Sequence, residues 1–204
     1  MHAVDVWQMP TQFAVTDDQL SCLSDDQRQH YLSLKEVKAR QWYLQHQVFR
    51  RQILALYLAC EAHDIEFAQT TEGKPYIKNS DEIQFNLSHS HGQCLLAVAG
   101  KIAVGIDVEK LRAINNWQAI AQRVFPDHWL QGQNFQRLNA DNFIHSWCEF
   151  EARQKCLGQG VFGKGSADHL HCQRFQPQAG YVAVLCTEQP VEIVRFYQLP
   201  PQRE

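Results

Sequence analysis

Residues 3–9 alternate apolar and polar side chains, the period of a strand with one buried face. Ser24-Asp25-Asp26-Gln27 has the pattern of a capping box and predicts the start of a helix. The period then lengthens. Leu44, Val48, Ile53, Leu56 and Tyr57 recur at helical spacing inside a predicted helix over 34–62. Residues 65–69 read as a strand and Glu72-Gly73-Lys74-Pro75 as a turn. Strands are predicted over 83–87, 93–99 and 102–109, with Gly100-Lys101 as a tight hairpin between the last two. Residues 115–125 and 139–157 return to helical spacing, and Gly158 and Gly160 stop the second helix. From about residue 169 the chain alternates again, in three predicted strands ending at Tyr197. Strands and helices mix without regular alternation, so the expected class is α+β.

Composition narrows the function classes. The 204 residues are 45% hydrophobic, enough for one large domain or two small ones sharing a core. A formal net charge of −3 argues against bulk electrostatic binding of nucleic acid, so an anionic ligand needs a local basic cluster or a metal. The longest apolar runs, such as 95–99, fall far short of the roughly 20 residues that cross a bilayer. No basic segment followed by an apolar one opens the sequence. The seven cysteines are scattered, odd in number and lack a C-x-x-C pair. The expectation is a cytoplasmic protein with reduced thiols and no membrane partner.

Four segments carry candidate chemistry. In Gly105-Ile106-Asp107-Val108-Glu109, residues two apart share a strand face, so Asp107 and Glu109 point one way and Ile106 and Val108 the other. Two carboxylates about 4 Å apart repel by roughly 4 kcal/mol at an effective dielectric near 20. A hard cation such as magnesium relieves that repulsion; the plainer alternative is an exposed face with two solvated acids. Trp147, Glu151 and Lys155 lie four apart on one helix face, with Glu149 off it. Glu151 and Lys155 fit either a surface pair worth about 0.3 kcal/mol or a site facing the strand acids and a phosphate. In Phe85-Asn86-Leu87-Ser88-His89-Ser90-His91, Ser88 and His89 are candidate phosphate donors. Transition-metal binding and a serine nucleophile are alternatives there, the latter without a G-x-S-x-G elbow. The turn presents Lys74, while Lys35, Lys38, Arg40, Arg50 and Arg51 add positive charge.

Together, in this order, the segments resemble the larger, Sfp-type 4'-phosphopantetheinyl transferases. That family has a G-K-P turn, an F-N-[IL]-S-H-S segment, a G-[IV]-D-[IV]-E strand and a W-x-x-K-E-x-x-x-K helix. The resemblance spans roughly Arg40 to Gly158. It implies two similar halves, about 1–100 and 101–204, packed as an intramolecular pseudo-dimer around coenzyme A. It also implies transfer of the phosphopantetheine arm to a serine of an acyl or peptidyl carrier protein by a monomeric enzyme. By the same resemblance Asp107, Glu109 and Glu151 hold magnesium, and Lys74 lies near the adenosine end of the cofactor. Asn86, Leu87, Ser88 and His89 line the phosphates, Lys155 meets the pyrophosphate and Glu151 is the candidate base. Phe150 and Gln47 stand where the family has a lysine and an arginine, with Arg50 or Arg51 as candidate replacements. Competing expectations are a binding module that no longer catalyses and a magnesium-dependent phosphohydrolase. Arg112 and Arg123, flanking apolar residues of 110–141, are candidate contacts for an acidic carrier.

Overall fold

A computed structural model describes residues 2–11, 13–131, 136–160 and 167–199. Strand β1 (Ala3–Gln8) is followed by helices α1 (Asp25–Ser33) and α2 (Val37–Leu58). A short ribbon, β2 (Phe67–Gln69) and β3 (Pro75–Ile77), leads to β4 (Gln84–Ser90), β5 (Gln93–Ala99) and β6 (Val104–Lys110). Then come α3 (Trp117–Val124), α4 (Asp127–Gln131), α5 (Phe143–Leu157), β7 (His171–Phe175), β8 (Tyr181–Thr187) and β9 (Ile193–Gln198). The mixed α+β class follows from these elements.

Local signals explain most boundaries. The capping box forms as expected: Ser24 Oγ accepts from the Gln27 amide, and Gln27 Oε1 accepts from the Ser24 amide. Helix α2 buries Leu44, Val48, Phe49, Ile53 and Leu54, and ends at Ala59 in the left-handed region (φ 48°). Leu56, expected on the buried face, is exposed. Gly158 ends α5, also with positive φ.

The strands form two main sheets. The first has the order β4-β5-β1-β9 and the second β6-β8-β7. Alternating side chains sort the layers. Cys94, Leu96 and Val98 of β5 face α2, while Leu95, Ala97 and Ala99 meet Val104, Ile106 and Val108 of β6. On β8, Ala183 and Leu185 join that inter-sheet core, while Val182, Val184 and Cys186 face α5. The layers therefore run α2, first sheet, second sheet, α5. Strand β5 is buried along its whole length because it is covered on both faces.

Two expectations are corrected. Gly100-Lys101 does not close a hairpin: β5 pairs with β4 and β1, and β6 pairs with β8 in the other sheet. The tight hairpin is instead β4–β5, where Ser90 faces Gln93 across His91 (φ 46°) and Gly92 (φ 90°). Two consecutive positive φ angles are what a two-residue hairpin requires. The thiols are not all reduced, because Cys172 and Cys186, opposite each other on β7 and β8, form a disulfide. The final strand also leaves the C-terminal elements and lies parallel to β1 in the first sheet. Arg195 of β9 donates to buried Asp5 of β1, and Tyr197 stacks on Trp7.

Helix α5 lies directly on the backbone of β6. A Cβ at Gly105 would sit 2.2 Å from the Ala152 carbonyl oxygen and 2.3 Å from the Cys156 amide nitrogen. Both are helix backbone atoms, so no side-chain movement relieves the clash. Gly105→Ala is expected to cost about 3 kcal/mol or more in urea denaturation. Gly100→Ala, at a position with open space around it, should stay within about 0.5 kcal/mol of the parent.

Candidate active site

The close approach at Gly105 sets Glu151 and Lys155, one helical turn apart on α5, above Asp107 on β6. Asp107 is buried, not displayed on a solvated face. Its Oδ1 accepts from Lys155 Nζ at 2.5 Å and from Ser88 Oγ at 2.8 Å. Lys155 Nζ also donates to Ser88 Oγ at 3.1 Å and lies 3.4 Å from Glu151 Oε2. Three of the sequence segments thus meet at one ammonium. Glu109 shares the strand face with Asp107, but its Oε2 accepts from Ser90 Oγ at 2.9 Å and pairs with Arg112 at 3.1 Å.

Burial sets the electrostatics. It raises the pKa of Asp107 above the ordinary carboxylate value, partly offset by Lys155. Glu151 is raised by burial and then by the Asp107 charge. Burial alone would lower Lys155, but Asp107 and Glu151 outweigh it and hold its pKa above the usual lysine value. Asp107 Oδ2 is buried without a hydrogen-bond partner. An unpartnered carboxylate oxygen beside a second acid is the donor chemistry that suits a hard divalent cation. As they stand, no three histidine, cysteine or acidic groups among the described residues enclose an ion.

The Asn86 and Ser88 side chains join the two sheets. Strands β4 and β6 share no backbone ladder. Instead Asn86 Oδ1 accepts from the Ile106 amide at 2.8 Å, and Ser88 Oγ accepts from the Val108 amide at 3.3 Å. Asn86 is a structural bridge, and Ser88 combines that role with its bond to Asp107. Leu87 packs on the α2 side of the first sheet. Lys74 donates to the Val104 and Cys156 carbonyls, at 3.1 and 3.0 Å, and so fastens its turn to β6 and the end of α5. Burial lowers its pKa.

His89 alone of these four strand residues is exposed, and its ring stacks on His46 of α2 at 4.4 Å. Although the residue is exposed, desolvation of its ring against the cleft wall and then the Lys155 charge lower the His89 pKa. The two rings help line a cleft of about 740 Å³ with Trp42, Tyr43 and His91. The sequence reading missed this cleft, although Trp42 and His46 lie four apart on one helix face. His46 Nε2 is buried without a partner.

The remaining candidates are placed elsewhere. Arg51 is buried and donates to the Ala62 and Ile65 carbonyls and to Gln27 Oε1, each at 2.9 Å. Arg50 lies 4.0 Å from the centre of the Phe67 ring and donates to Gln47 Oε1. Both guanidinium groups are thus engaged by neighbouring side chains, carbonyls or rings. Phe150 is buried against Phe125 and Trp129, at 5.2 and 5.6 Å between ring centres. Its side chain points into the core beneath α3 and α4. Trp117, Ile120, Val124 and Trp129 are partly buried and pack on the same cluster. Glu149, off the site face as expected, pairs with Arg153 and Arg174. Among the described residues no helix is long and apolar enough to cross a membrane.

The buried His46 ring generates a pH dependence. Burial, His89 and Arg50 lower its pKa to about 3. In the unfolded chain it protonates near pH 6.5. Between these values the unfolded chain binds the extra proton, so stability falls as pH drops from about 6.5 toward 3. Urea titrations across this window should show a shallower loss for His46→Gln than for the parent. Equal slopes would assign the acid sensitivity to other groups.

Comparison with known proteins agrees with this geometry. Residues 7–101 match a family model described as 4'-phosphopantetheinyl transferase, N-terminal. The chain is 32% identical over 120 residues to 4'-phosphopantetheinyl transferase HetI of Nostoc sp., covering 54% of this chain and 49% of the relative. It is 34% identical over 118 residues to 4'-phosphopantetheinyl transferase psf-1 of Bacillus pumilus, covering 56% and 49%. With 4'-phosphopantetheinyl transferase Sfp of Bacillus subtilis it is 27% identical over 156 residues, covering 68% and 67%. The chain thus spans about half the length of the first two relatives. By motif order, family model and these similarities, the chain resembles 4'-phosphopantetheinyl transferases over part of its length.

Proposed function

We propose that this chain transfers the 4'-phosphopantetheine arm of coenzyme A to a serine of an acyl or peptidyl carrier protein and releases 3',5'-ADP. The observation that carries this reading is the meeting of Ser88, Asp107, Glu151 and Lys155 from two strands and one helix. A surface lysine–glutamate pair would not require a buried aspartate beneath it. Phe150 does not argue for an inactive binding module, since its side chain lies in the core and not at the site.

In this reading Lys155 pairs with the pyrophosphate, and His89 borders it on the side of the α2 cleft. Asp107 and Glu151, with Glu109 beside them, would hold magnesium; when bound, the ion neutralises charge that grows on the pyrophosphate. The carrier serine attacks the β-phosphorus, its proton leaves, and the bond to the 3',5'-ADP oxygen breaks. Glu151 is the proposed base, and a carboxylate whose pKa is raised by burial takes up a proton more readily near neutral pH. The layers of α2 on one sheet and α5 on the other support a pseudo-dimer of two halves, with β9 added to the first.

The test is incubation with coenzyme A, magnesium and a panel of unmodified carrier proteins, read by intact mass. The expected result is a carrier heavier by one phosphopantetheine arm. Cleavage of coenzyme A without carrier modification would indicate a hydrolase, and binding without either would indicate a module. Glu151→Gln should lower turnover on the order of a hundredfold or more while coenzyme A still binds. Asp107→Ala should also remove activity, and should destabilise the fold by about 2 kcal/mol or more because it leaves the Lys155 ammonium underpaired.

A further inference from the structure

We propose that the Lys155 ammonium competes with the divalent cation for Asp107 and Glu151, and thereby makes metal and coenzyme A bind cooperatively. The inference rests on the transferase reading above. Lys155 Nζ has three donors, and three side-chain oxygens surround it: Asp107 Oδ1 at 2.5 Å, Ser88 Oγ at 3.1 Å and Glu151 Oε2 at 3.4 Å. The ammonium is therefore engaged by Ser88 and by two of the acids that would ligate an ion.

A magnesium ion takes carboxylate oxygens at about 2.0–2.1 Å. An ion on Asp107 Oδ2 would face the ammonium held on Oδ1 of the same carboxylate, and repulsion between the like charges would weaken its binding. The metal therefore enters when Lys155 leaves. The unpartnered Asp107 Oδ2 gives it a first ligand, while Glu151 Oε2 stays paired with the ammonium until that departure.

Lys155 has somewhere to go only when an anion is present. Its side chain is 28% exposed, so the head can turn outward on its four-carbon stem. The nearby bases are committed: Arg112 to Glu109 and the Lys110 carbonyl, Lys74 to two backbone carbonyls. The pyrophosphate of coenzyme A supplies the new partner. Once Lys155 pairs with it, the two acids need a cation. Each ligand removes the cost that the other would otherwise meet, and the coupling is reciprocal.

Calorimetry of magnesium binding tests this, with and without coenzyme A, after subtracting magnesium binding to free coenzyme A. In the parent chain, coenzyme A should tighten magnesium about tenfold or more. Lys155→Met should bind magnesium alone about tenfold more tightly than the parent, and coenzyme A should add much less. Lys155→Arg, which keeps the charge, should show no such gain. A folded Lys155→Met whose metal affinity is unchanged or weaker overturns the proposal. If that variant does not fold, Lys155→Gln takes its place, and a parent chain in which coenzyme A leaves magnesium affinity unchanged overturns it alone. Failure of coenzyme A to bind under any condition would refute the transferase reading, while the metal-only comparison would still judge the competition.

Discussion

The arrangement depends on the contact between α5 and the backbone of β6 at Gly105. Helices usually pack on sheets through side chains that keep the two backbones apart. Here the helix backbone comes close enough that even one methyl group is excluded. That approach brings Glu151 and Lys155, on the underside of α5, into contact distance of Asp107 on the strand. It also buries Asp107, which raises its pKa and makes the Lys155 ammonium a required partner. A buried carboxylate without that partner would be costly, so the geometry and the electrostatics have one origin.

The second constraint is the seam between the sheets. Backbone amides of strand β6 donate to side-chain oxygens of β4 where a backbone ladder is missing. Asn86 and Ser88 lie two apart, as do Ile106 and Val108, so the strand period sets the match. Lys74 adds a third tie, across to the last turn of α5. These residues hold the acid strand in place. Ser88 also touches both Asp107 and Lys155.

Much of the site was legible because it follows periodicity. The alternation across 105–109 placed both acids on one face, and the four-residue spacing placed Glu151 with Lys155. Periodicity does not report which layer covers that face, so the burial of Asp107 was hidden. The Gly100-Lys101 reading failed for a related reason. Strand β5 is apolar on both faces, and its pairing partner cannot be chosen from an unbroken apolar run. His91-Gly92 carried the true turn signal, overshadowed by the histidines' chemical interest. The Cys172–Cys186 pair depends on the register of β7 against β8, which no local spacing encodes. Arg50 and Arg51 looked like phosphate ligands, yet guanidinium groups serve equally well to satisfy buried carbonyls and cover aromatic rings.

The strand and the helix are joined through one buried charge pair at the candidate active site, Asp107 with Lys155. A double-mutant cycle measures that pair directly. Asp107→Asn, Lys155→Met and the double variant would be unfolded with urea in metal-free buffer. The account predicts that the double variant loses less stability than the two single losses combined, with a coupling of about 1–3 kcal/mol. Additive losses would contradict it, because they would mean that Asp107 and Lys155 do not sense each other in the folded protein.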